Sequence, residues 1–156
     1  MPLPHAEYFD RAKAYAQRVA AGQEVAGKYE RLACKRFLRD LERQGTEAFP
    51  YVIDVKLGGR ACQFQELLCH IKGEWAKPIY EDGMVRYAKI SLEDWQVFCE
   101  FQLFGWVHMQ TRLRRFRRSY EEVARKNAKS TRAAGRCLYL AFADDEPGAQ
   151  VYSAAT

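Results

Sequence analysis

The chain has 156 residues, 48% of them hydrophobic and 13% aromatic, which is enough for a domain with a real core and too apolar for a disordered segment. No apolar run approaches the roughly 20 residues needed to cross a bilayer, and the opening MPLPHAEYFDRAK carries acids without an apolar block, so it does not read as a signal peptide. The net charge of +5 is unevenly placed: residues 112–136 hold ten basic residues against Glu121 and Glu122, which leaves the remainder net acidic and points to an anionic partner or to a solvated basic face.

Tyr8, Ala12, Tyr15 and Val19 keep helical spacing and predict a first helix ended by Gly22. Tyr29, Leu32, Ala33, Phe37 and Leu41 predict the apolar face of a second helix, stopped near Gly45, with Lys28, Arg31, Lys35, Arg39 and Arg43 on the opposite face. Pro50 opens an extended segment, YVIDVKL, which Gly58-Gly59 is expected to turn. A third helix follows, with Phe64, Leu67, Leu68 and Ile71 on one face. Gly73, Pro78 and Gly83 mark residues 72–83 as loop, and MVRYAKI alternates as a strand. Ser91 is the expected N-cap of a helix burying Leu92, Trp95, Phe98, Cys99 and Leu103 up to Gly105. The stretch WVHMQTRLRRF fits a hairpin or a helix.

There are five cysteines, an odd number with no C-x-x-C spacing, and Cys69-His70 lacks a second ligand pair. They read as reduced thiols of a cytosolic protein rather than a metal site.

The sharpest local question is posed by RKNAKST, residues 125–131. A phosphate-binding loop of the G-x-x-x-x-G-K-[ST] type sits between a strand and a helix, and its glycines let the backbone curl so that several N–H groups face an anion. Aligned on Lys129-Ser130, this chain has Val123 and Ala128 where that pattern has glycine. Downstream, Ala133, Ala134, Cys137, Leu138 and Ala141 keep helical spacing, as such a loop requires, and VYSAAT reads as a buried strand. Upstream, RSYEEVA is very charged for a central parallel strand. Asp144, Asp145 and Glu146 follow the helix too closely for a further strand, so they are expected to end it in a turn with Pro147-Gly148.

RLACKRFLRDLER, HIKGEW, LEDWQVFCEFQLFGW, RRFRRSYEEVARKNAKST and EPGAQVYSAAT together resemble the large subunit of tailed-phage terminases, in family order and over almost the whole chain. That family's phosphate loop places an Arg four residues before the Lys, as Arg125 stands before Lys129. The resemblance implies an α/β fold: a mainly helical region over residues 1–84, then over 85–156 the start of a P-loop ATPase (βαβ) domain with an incomplete sheet. It also implies an ATP-driven DNA-packaging motor that carries nuclease activity when complete. By the same resemblance, Lys129 and Arg125 act on the phosphates. Asn127, Ala128, Lys129, Ser130 and Thr131 cradle them, Ser130 (or Thr131) supports Mg²⁺, and Trp95 and Gln96 meet the adenine of ATP. The implied partners are double-stranded DNA, a terminase small subunit and the portal protein, and the resemblance implies a homo-oligomeric ring at full length, in the bacterial host cytoplasm. The family's Walker B acids and nuclease residues have no counterpart in these residues, so the chain is expected to be an inactive N-terminal fragment. Two other readings stay open. Arg112, Arg114, Arg115, Arg117 and Arg118, interleaved with Leu113 and Phe116, also fit a small basic nucleic-acid-binding module without ATPase activity. A helical scaffold whose basic residues only face solvent fits as well.

Overall fold

The computed structural model describes residues 3–71, 73–152 and 154. Five helices and four short strands follow one another as α1 (His5–Ala20), α2 (Lys28–Glu42), β1 (Tyr51–Ile53), α3 (Val55–Leu67), β2 (Pro78–Glu81), β3 (Met84–Tyr87), α4 (Asp94–Gly105), β4 (Trp106–His108) and α5 (Lys129–Phe142). They form two compact units that interleave along the chain: Met1–Gln63 with Leu92–Tyr120, and Phe64–Ser91 with Glu121–Thr156. The fold is mixed α/β. Among the described residues every strand pair is antiparallel, so the expected parallel βαβ arrangement is not formed there.

In the first unit, α1 buries Tyr8, Ala12, Tyr15, Ala16 and Val19, the face its spacing predicts. Aromatic side chains fill the space between helices. Tyr15 and Phe98 lie 5.6 Å apart, and Phe37 meets Phe98 edge-on at 5.4 Å and Trp106 at 6.2 Å. Such tilted and edge-to-face pairs add to the burial itself. The small sheet pairs Tyr51 with His108, Val52 with Val107 and Ile53 with Trp106. After β4 the chain turns and pairs again through Val107 and Arg114, so WVHMQTRLRRF is a hairpin.

Three expectations fail here for identifiable reasons. Tyr29 and Leu32 of α2 are exposed, Tyr29 at 82%, because the buried face is turned to Cys34, Phe37 and the charged Asp40. Gly58-Gly59 is no turn. Asp54 caps α3, its Oδ1 accepting from Leu57 N at 2.9 Å, and the glycines continue the helix at positions where a Cβ would strike Phe101 or His5. On α4 the cap is Glu93 rather than Ser91, in a capping box with Gln96, and this rotates Val97, Phe101 and Phe104 inward while Trp95, Cys99 and Leu103 are only half-buried.

In the second unit, residues expected to be loop include a strand. Ile79 faces Arg86 and Tyr80 faces Val85 across a tight turn in which Asp82 (φ 50) and Gly83 (φ 74) are both left-handed. Asp-Gly is the preferred pair for that mirror-image turn, which matches strand twist. Leu67 and Ile71 are exposed, and the buried member of this stretch is Gln65. Helix α5 likewise exposes Ala133, Ala134, Leu138 and Ala141 and buries Arg132, Gly135 and Tyr139. Its end matches expectation: the chain breaks after Phe142, with Ala149 N bonded to Glu146 O around Pro147-Gly148. The strand expected at residues 151–156 is absent where it is described. Val151, Tyr152 and Ala154 are exposed and unpaired as strand, and Ser153, Ala155 and Thr156 lie outside the described residues.

Candidate functional site

Residues 121–124 run without a strand partner, the chain turns over residues 125–128, and α5 begins at Lys129. Two non-glycine residues of this turn are left-handed, Lys126 at φ 69 and Ala128 at φ 54. Each such residue costs on the order of 1–2 kcal/mol, so the turn is held by its surroundings rather than by local preference. Ala128 occupies the position where the generic phosphate loop has its second glycine, and it adopts the conformation a glycine would favour.

Ala128 is also the N-cap of α5, and its methyl group makes no side-chain cap. The first intrahelical bond runs from Arg132 N to Ala128 O at 2.9 Å. The backbone N–H groups of Lys129, Ser130 and Thr131 therefore have no intrahelical acceptor, at the positive end of a 14-residue helix. Arg125, Lys126, Asn127, Lys129, Ser130 and Thr131 are all exposed around them. Asn127 has a second task, since its Nδ2 donates to Ala124 O at 3.2 Å and ties the turn across its neck.

Beneath the turn lies a clamp. Glu121, just before it, pairs with Arg132 at 3.0 Å and also with Arg136, both on α5 one helical turn apart. Arg132 is only 2% exposed. The other side of α5 is seated by Gln65, whose Nε2 donates to Arg132 O at 3.2 Å, and by Phe64 against Tyr139 at 5.4 Å. Chain entering the turn and helix leaving it are thus joined at the base. In the sequence Glu121, Arg132 and Arg136 stand out only as charge. The available signal was an acid inside a basic stretch followed by two arginines at i,i+4 spacing.

Trp95 and Gln96 lie on α4, in the first unit, whereas residues 125–131 lie in the second. Trp95 is half-buried. Gln96 is 7% exposed and its Oε1 accepts from Glu93 N at 3.0 Å, so the amide serves the helix cap.

The arginines of residues 112–118 are not one uniformly solvated row: Arg112, Arg117 and Arg118 are exposed, and Arg114 and Arg115 are less so. Arg115 is mostly buried, pairs with the fully buried Asp40 at 2.8 Å, and has its guanidinium 4.6 Å from the ring centre of Phe49 and 4.8 Å from that of Phe116. Arg112 pairs with Asp54, and Arg114 lies over Phe104 at 5.0 Å. Only Arg117 and Arg118 keep the expected exposure without such anchoring. Asp40 is the reason. Burial pushes its carboxyl pKa up, but Arg115 and Arg43 more than offset this and hold it below the usual carboxylate range. An ionised acid at zero exposure demands arginine partners, and the hairpin supplies one.

Residues 94–156 match the family described as terminase large subunit, ATPase domain. Over those residues the chain is similar to terminase large subunits. No curated protein and no solved structure matches it. The terminase match takes in α4, the hairpin of β4 and the whole turn-and-clamp arrangement that opens α5. Among the described residues no group of three or more His, Cys, Asp or Glu is placed to hold a metal ion, and no helix is long and apolar enough to cross a membrane.

Proposed function

We propose that residues 125–131 form the nucleotide-phosphate loop of a DNA-packaging ATPase from a tailed phage. The observation that carries this is the pair of left-handed residues, Lys126 and Ala128, leading directly into an uncapped helix N-terminus at Lys129 inside the terminase-matched segment. Uncapped amides and a helix dipole favour an anion, and three exposed cations, Arg125, Lys126 and Lys129, surround them. On this reading Lys129 holds the β- and γ-phosphates and Arg125 meets the γ-phosphate. The amides of Lys129, Ser130 and Thr131 take phosphate oxygens, with Asn127 and Ala128 shaping the turn. The exposed hydroxyl of Ser130, with Thr131 beside it, fits a hard oxygen-preferring ion. Mg²⁺, when bound there, would neutralise charge on the phosphates. Trp95 and Gln96 complete an adenine contact only if the Gln96 amide leaves Glu93.

The chain by itself is expected to bind ATP without turning it over. Hydrolysis needs an acid beside the phosphates to position Mg²⁺ and water. Glu121 is held by two arginines, and Asp144 and Asp145 follow the far end of α5, about 20 Å of helix away from Lys129. We infer that double-stranded DNA, a small subunit, the portal protein and ring assembly in the host cytoplasm belong to the motor in which these residues work, as does its nuclease.

Titration with a fluorescent ATP analogue tests the proposal. Saturable binding that Lys129→Ala weakens at least about tenfold supports it. Equal affinity in the two proteins removes the loop from the nucleotide site, and steady turnover abolished by Lys129→Ala contradicts the expected silence.

A further inference from the structure

The second helix has two opposed faces, and only one is explained by packing. Its inward face carries Cys34, Phe37 and Asp40. At 100° per residue, Lys28, Arg31, Lys35 and Arg39 fall within one narrow stripe on the opposite side. All four are exposed. Of the neighbouring acids, Glu30 accepts from the buried Tyr15 hydroxyl, and the buried Asp40 is shared by Arg43 and Arg115 with Arg39 of the stripe more distant at 3.6 Å. The exposed Glu42 falls on the stripe itself, at its C-terminal end, so the row carries four cations and one acid.

We propose that this stripe is a docking surface for the backbone of duplex DNA, separate from the phosphate loop. The argument is charge complementarity. From Lys28 to Arg39 the helix rises about 16 Å, with cations about 4.5–6 Å apart. A duplex presents about five phosphates per strand over that length. A row of cations at helical spacing matches a regularly charged rod. A protein partner fits less well, because half the stripe is lysine, which protein interfaces avoid, and its apolar content is limited to Leu32 and Tyr29. A single strand would call for successive stacking rings in a groove, whereas this convex face offers Tyr29 alone.

The test is anisotropy of a labelled 24-base-pair duplex (an arbitrary length of about two turns) titrated with the full chain, without nucleotide, across about 50–200 mM salt. The comparison protein carries Lys28→Gln, Arg31→Gln, Lys35→Gln and Arg39→Gln together, and an unchanged melting temperature shows that it folds. We expect its affinity at low salt to fall at least about tenfold and the slope of log K against log salt to shrink by about 3–4. Equal affinity and slope in both proteins, or no duplex binding by the unmodified chain, overturns the proposal. So does a preference for single-stranded DNA, or displacement of the duplex by polyglutamate at equal charge.

Discussion

At the scale of single residues, the most consequential side chain is Asp40. It is fully buried, yet it stays ionised because Arg43 and Arg115 approach to 2.8 Å each. Replacing it with Asn leaves those guanidinium groups facing an uncharged amide. We expect Asp40→Asn to lose about 3–5 kcal/mol of stability in denaturant titration at pH 7. Because the folded-state pKa of Asp40 is depressed below its unfolded value, its contribution is complete above about pH 4 and is lost as pH falls through the depressed value. The stabilities of the two proteins should therefore converge in acid; a constant gap down to pH 2 would show that the charge is not what matters. Cys34 gives a second residue-scale test. Burial, with Glu30 and Cys99 nearby, pushes its thiol up to about 12. At pH 8 iodoacetamide should label the half-buried Cys69, Cys99 and Cys137 while Cys34 stays unmodified in an intact-mass time course.

At the scale of elements, α5 is positioned by a close approach. A Cβ on Gly135 would overlap Gln65 Oε1 and lie 2.8 Å from its Cδ. Gly135→Ala should lower the melting temperature of the second unit, at about 1–3 kcal/mol, and Gln65→Ala added to it should restore part of the loss. No change in the single variant would mean that α5 is not seated as described. Periodicity located α1, α2 and α4 because their apolar residues are numerous, and it found the end of each in the glycines that follow. It misjudged which way α2, α3 and α5 face, for one physical reason: the residues that decide those faces, Asp40, Gln65 and Arg132, are polar and buried with partners distant in sequence. Strand β3 lies within the expected strand MVRYAKI, but its partner β2 falls in residues read as loop, because Gly73 and Pro78 outweigh the Asp82-Gly83 turn signal there. At the candidate site, Arg125, Lys129 and Ser130 were legible as residue types. The clamp through Glu121 was not, since an ion pair across 11 or 15 residues leaves no periodic trace.

At the scale of the whole chain, two units share the predicted nucleotide residues: Trp95 and Gln96 in one, residues 125–131 in the other. The central claim concerns the second of these alone, that the backbone opening α5 is an anion cradle shaped by a strained alanine. The amides of Lys129, Ser130 and Thr131 should accordingly report nucleotide directly. In a ¹H–¹⁵N spectrum titrated with Mg²⁺ and a non-hydrolysable ATP analogue, those three amides should show the largest shifts, and Lys129→Ala should greatly reduce them. Shifts confined to other residues, or none at millimolar nucleotide, would contradict the account.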